Sequence, residues 1–162
     1  MVLVWAVRGF RSGESPTDLM VLRTKSWFDD IERDRHMILV PAPVIGEYLA
    51  GVDPARHAEA AGRLAKQFPV SAYGLVAAVR FAELWHTAYG TDKPGAKARR
   101  HKVDMQIVAC ALAAGADCLC SHDDDVRRVA EGHIRVMEVP PLRPVEQTLP
   151  GMSPAARPGE RG

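Results

Sequence analysis

Met37-Ile38-Leu39-Val40-Pro41-Ala42-Pro43-Val44-Ile45-Gly46-Glu47-Tyr48-Leu49 is the stretch that decides the fold. Met37 to Val40 is a short, continuously apolar run, the pattern of a strand buried on both faces. Pro41 to Pro43 turn the chain. Residues 43–51 then read as a short helix ending at Gly51, with Glu47 one turn from Val44.

Upstream, Ser15-Pro16-Thr17-Asp18 is a capping box with Pro at the first helical position. Met20, Thr24, Trp27 and Ile31 follow helical spacing, which predicts a helix over 16–34 with one buried stripe. Downstream, Asp53-Pro54 opens a helix carrying Ala58, Ala61, Leu64 and Ala65 to about Phe68, and 68–72 reads as a short strand. Residues 74–88 read as a helix with Leu75, Val79, Ala82 and His86 inward. Gly90 to Gly95 is a polar loop. A helix rich in small residues covers 103–114 and stops at Gly115. Cys118-Leu119-Cys120 is a strand, 125–131 a short helix and Ile134 to Val139 a last strand. No internal repeat is evident. Short apolar strands alternating with helices define a parallel sheet covered on both faces, a three-layer α/β/α domain over residues 1–142. Residues 143–162 form a Pro/Gly-rich tail read as disordered.

A chain of 162 residues suits one domain with one core. Lys and Arg total 21 against 20 for Asp and Glu, so net charge does not decide whether nucleic acid is a partner. No apolar run reaches the roughly 20 residues of a membrane helix. Met1 to Val7 is apolar but too short, and lacks the flanks of a secretory leader. A cytoplasmic protein is expected. Three cysteines make no disulfide framework.

Glu47, Asp104 in Lys102-Val103-Asp104-Met105-Gln106, and the run Ser121-His122-Asp123-Asp124-Asp125 each open or follow an apolar segment. Carboxylates at the ends of core elements are costly unless neutralised, and a divalent cation is the usual neutraliser. Parallel sheets bind ligands beyond the carboxyl ends of their strands. Glu47 follows one strand through a turn, Asp123 and Asp125 follow another, and Asp104 begins a helix on the same rim.

These segments, in this order, resemble the PIN domain, and by pattern the VapC-type toxins of bacterial toxin–antitoxin pairs. Ile38 to Leu49, Val103 to Ala109 and Ala116 to Asp125 carry the resemblance, which spans roughly residues 2–140. It implies a magnesium-dependent endoribonuclease, with manganese as an alternative ion. Glu47, Asp104 and Asp123 match the metal-holding acids, Asp125 a further catalytic acid, and Ser121 the Ser or Thr of a Thr/Ser-x-Asp-x-Asp segment. An antitoxin partner and a homodimer are implied too. Carboxylates and a few waters suit Mg²⁺, which activates water and stabilises charge on phosphodiester oxygens. The runner-up is a degenerate PIN module that cleaves nothing and binds an antitoxin or itself. A phosphatase or phospho-accepting receiver fits less well, because its acid pair lies near the N-terminus.

One departure stands out. The family's first catalytic Asp follows its first strand, in a pattern like Asp-x-Asn/Ser-Val-Leu. Here residues 2–9 match the helix after that Asp, Met1 stands at the Asn or Ser, and no acid precedes Glu14. Either the native chain starts earlier, the preferred expectation, or this is a truncated, inactive descendant. Loss of a central strand leaves a slot two strand spacings wide, about 9.6 Å, and orphans two rows of backbone groups. An unstable or aggregation-prone chain is the expected result.

Taken singly, each acid has a plainer reading: a solvated helix residue for Glu47, a dipole-favoured helix start for Asp104, a solvated cap for the Asp123 run. Lys97-Ala98-Arg99-Arg100-His101-Lys102 is a basic cluster beside Asp104. Arg99, Arg100, Lys102 and Ser121 are candidate RNA contacts, against a solvated helix start as the alternative. Cys118 and Cys120 share a strand face, but with His122 or His133 they fit no common zinc spacing, and buried thiols are expected. His86 is assigned to the core and His122 to a loop. Trp5, Trp27 and Trp85 are read as core or dimer contacts rather than platforms for bases.

Overall fold

The computed structural model describes residues 19–90 and 101–142. The expectations for residues 1–18, for the polar loop after Gly90, for Arg99 and Arg100, and for the tail fall outside them. The elements are α1 (Leu19–Arg33), β1 (Val40–Pro41), α2 (Ala42–Ala50), a 3-10 turn (Pro54–Arg56) leading into α3 (His57–Gln67), β2 (Val70–Ser71), α4 (Leu75–Tyr89), α5 (Lys102–Ala113), β3 (Cys118–Cys120), α6 (Asp124–Ala130) and β4 (Arg135–Met137).

Local chemistry sets several of these boundaries. Asp53 Oδ1 accepts from the Ala55 N–H at 2.9 Å and starts the 3-10 turn. Gly115, at φ +68°, ends α5, where Ala116 N–H returns to the Ala111 carbonyl at 3.0 Å. The strand expected over 37–40 shrinks to Val40–Pro41, and Met37 is 73% exposed. Pro41, which has no N–H to donate and serves as the cap of α2, closes the ladder at its far end, one residue beyond the expected limit; the loss is at the start, where residues 37–39 pair with no described strand.

All strand pairs are parallel, but the described strands form two two-stranded sheets, β1–β2 and β3–β4, rather than one continuous sheet. β1 and β3 do not pair with each other. Both halves rest on α5, which touches β1, β2 and β3 as well as α2, α4 and α6. Its sequence is apolar nearly all round, as a buried helix requires, and Val108, Ala109 and Cys110 have no exposed surface. Leu84, Leu119, Val126 and Ala130 pack against it. A second cluster joins Val40, Leu64 and Phe68 to Phe28 of α1 and to Ile45 and Tyr48 of α2. Arg23 ties α1 to the end of β4 through the Val139 and Pro140 carbonyls.

Two helices turn differently from expectation. α4 faces α5 with Ala77, Phe81 and Leu84, leaving Leu75 83% and Val79 51% exposed, with Ala82 and His86 also outward. Both stripes of α4 are apolar, so periodicity cannot choose between them; the docking of α4 on α5 does. His86 is therefore not a core residue. α3 buries Ala60 and Leu64, with Ala58 and Ala65 exposed. Trp85 stacks on Phe81 and lies against Tyr89, with Lys102 Nζ 5.7 Å from its ring centroid. Trp27 lies against Phe28. No helix among the described residues is long and apolar enough to cross a membrane.

Candidate active site

Three elements deliver acids to one cavity of about 850 Å³ between the half-sheets. Glu47 comes from α2, directly after β1. Asp104 comes from the first turn of α5. Asp123 caps α6, three residues beyond β3. Ser121 lines the same cavity. Asp123 is held tightly: its Oδ1 accepts from the N–H of Asp125 at 2.8 Å and of Val126 at 3.3 Å, while its own N–H donates to Ser121 Oγ at 3.1 Å. Its second oxygen takes no part in the cap. Asp125 is not among the cavity's lining residues; it pairs with Arg128 at 2.7 Å.

The acids feel one another. Burial, then the charge of Asp123, pushes Glu47 above the ordinary glutamate value, although Glu47 remains exposed at the mouth. Burial raises Asp104 as well, followed by the charges of Asp123 and Asp125, with Glu47 adding to them. Among the described residues no Lys or Arg forms an ion pair with Glu47, Asp104 or Asp123. The donors, all carboxylate oxygens with mutual repulsion, fit a hard divalent ion in kind. Their spacing is looser: among the described residues no three His, Cys, Asp or Glu side chains stand close enough to hold one ion together.

His101 is a neighbour the sequence reading used only as part of the basic cluster. It is buried at the cap of α5, and its charge pulls Asp104 down against the acids. Its place three residues before Asp104, at the start of an apolar helix, was the available signal. His122 has a structural partner: its Nε2 accepts the Val139 N–H at 3.1 Å, and burial lowers its pKa. Cys118 and Cys120 are half-buried in β3, with burial pushing the Cys120 thiol up to about 12.

Parallel strands, helical cover and acids from α2, α5 and α6 at the carboxyl-end rim define an α/β fold of PIN-like type. The chain superposes on a chain from the crystal structure of VapBC2 from Rickettsia felis bound to a DNA fragment from their promoter, with a TM-score of 0.53 and 12% identity. The match covers 85% of this chain and 92% of that one, and at this identity the likeness is one of fold. No family model and no curated protein sequence matches.

Proposed function

We propose that the protein is a metal-dependent endoribonuclease, the toxin of a toxin–antitoxin pair, acting in the cytoplasm with Mg²⁺ or Mn²⁺. The observation that carries this reading is that Glu47, Asp104 and Asp123 line one cavity, with the charge of Asp123 acting on both of the others, on a fold shared with a VapBC2 chain. Glu47, Asp104 and the second oxygen of Asp123 are the oxygen donors such an ion would draw on, and they would have to close toward one another to hold it together. When bound, the ion would supply an activated water and charge neutralisation at the scissile phosphate. The cap bonds to Asp123 fix one ligand's direction before substrate arrives, and Ser121 stands at the same wall for a phosphate oxygen. Lys102, with Arg99 and Arg100, provides the positive approach for RNA. The outward apolar stripe of α4 offers a surface to an antitoxin or a second copy.

The test is cleavage of a defined single-stranded RNA with and without Mg²⁺. Asp104→Asn abolishes metal-dependent cleavage while circular dichroism stays native. Undiminished cleavage by Asp104→Asn rejects the assignment. The second reading, a PIN-like binding module without catalysis, is favoured by the lack of a closed three-ligand cluster among the described residues. It predicts no cleavage by the wild-type chain at any metal concentration.

A further inference from the structure

β3 and β4 put three sulfur atoms on one face of their half-sheet. The strands pair in parallel, with Cys118 opposite Arg135, Leu119 opposite Val136 and Cys120 opposite Met137. Opposite residues of neighbouring strands point to the same side of a sheet, and successive residues alternate. Leu119 and Val136 pack in the core with Val126 and Ala130, so Cys118, Cys120 and Met137 turn the other way. All three border the 850 Å³ cavity. The Cys118 thiol donates to Met137 Sδ at 3.7 Å. The chain's remaining cysteine, Cys110, has no exposed surface, whereas Cys118 and Cys120 are half-buried. A metal–sulfur bond of about 2.3 Å places two sulfurs on one ion about 3.8–4 Å apart in tetrahedral or trigonal geometry. The distance between Cys118 and Met137 already meets that spacing. Cys120 lies two residues from Cys118, about 6.6 Å along the strand, and rotation about χ1 carries its sulfur toward the same point.

We propose that Cys118, Cys120 and Met137 form a three-sulfur site for one Cu(I) ion. Donor softness selects the ion: thiolate and thioether sulfur suit Cu(I), Zn²⁺ is held by Cys, His or carboxylate groups, and Mg²⁺ takes oxygen. Binding forms three copper–sulfur bonds and releases the two thiol protons to water. Two thiolates and one monovalent cation leave one net negative charge. Arg135, in register with Cys118 and at the same cavity, supplies the offsetting positive charge. Burial, then the charge of Cys118, pushes the Cys120 thiol up to about 12, so at neutral pH it stays protonated and a poor nucleophile. Displacement of its proton by a soft ion, rather than attack on an oxidant or alkylating agent, is the chemistry open to it. The cavity thus carries oxygen donors from α2, α5 and α6 and sulfur donors on its β3–β4 wall, and the sulfur site does not depend on the catalytic reading.

Titration of the reduced full chain with Cu(I) in the absence of oxygen, against a chromophoric Cu(I) chelator, tests this. One ion binds per chain, and copper-edge X-ray absorption finds three sulfur neighbours at about 2.3 Å. Cys118→Ser and Cys120→Ser each weaken binding at least a hundredfold and Met137→Leu at least tenfold, while Cys110→Ala leaves it unchanged. Circular dichroism checks that each variant is folded. Excess Mg²⁺ does not displace the copper. RNA cleavage is scored separately, so failure of the sulfur site and failure of the nuclease reading give different results. Wild-type affinity in both serine variants overturns the proposal. So does a wild-type absorption spectrum with fewer than three sulfur neighbours, a measurement that stands even where a substitution unfolds the chain. One ion per two chains assigns the copper to a contact between copies and overturns it too, as does Zn²⁺ binding of equal strength.

Discussion

Asp123 has two separable jobs, and substitution divides them. Its Oδ1 receives two backbone N–H groups, at 2.8 and 3.3 Å, and so caps α6. Truncating a cap of this kind costs roughly 1 kcal/mol, within a range of about 0.5–2. Against that, Asp123→Ala removes the charge that raises both Glu47 and Asp104, which returns part of the loss. The expected net effect of Asp123→Ala is a destabilisation of about 1 kcal/mol or less. For a chain of this size that lowers the thermal midpoint by about 2–4 °C. Asp123→Asn keeps a cap of equal quality and drops the charge, so its midpoint equals or exceeds that of the wild type. Both variants lose Mg²⁺-dependent cleavage. Thermal unfolding followed by circular dichroism, paired with an RNA cleavage assay, reads both quantities. An Asn variant that melts as low as the Ala variant refutes the capping and repulsion argument. An Asn variant that cuts RNA at the wild-type rate refutes the assignment of the carboxylate.

Asp104 binds a proton more tightly in the folded chain than in the unfolded one, so stability falls as pH rises from the ordinary aspartate range through its raised folded value. Asp104→Asn therefore melts higher than the wild type at neutral pH without added metal, and denaturant titration at pH 3 and pH 7 measures the difference. His122 is shifted the other way: its contribution is complete above the ordinary histidine value of 6.5 and is lost as pH falls through its lowered folded pKa. His122→Gln flattens that acid limb in a stability-versus-pH series. Met105 is 1% exposed, and Met105→Ala costs about 2–5 kcal/mol by chemical denaturation.

The parts of the fold written in local chemistry were the most legible. Pro41 and Pro43, Asp53-Pro54 and Gly115 placed the ends of α2, the 3-10 turn and α5 to within a residue or two. The order of Glu47, Asp104 and Asp123 along the chain identified acids that do share a cavity. What local pattern could not decide was orientation. α4 carries apolar residues on both sides, and only the docking of Ala77, Phe81 and Leu84 on α5 shows which side is inward. The brevity of β1 was likewise hidden, because Met37 to Val40 is as apolar as a longer strand, whereas only Val40 and Pro41 find partners in β2. Asp125 matched by spacing, yet its oxygen goes to Arg128. The weight of His101 beside Asp104 depends on burial, which composition does not report.

Among the described residues, α5 touches β1 and β2 of one half-sheet and β3 of the other. A protein arranged this way has its mechanical integrity concentrated in twelve residues, Lys102–Ala113, which carry Asp104 at one end. Loosening either flank leaves the other seated, whereas any slip of that central rod moves the acid relative to Glu47 and Asp123 together. Tolerance to sequence change should accordingly be graded, generous on the outlying helices and meagre along this rod.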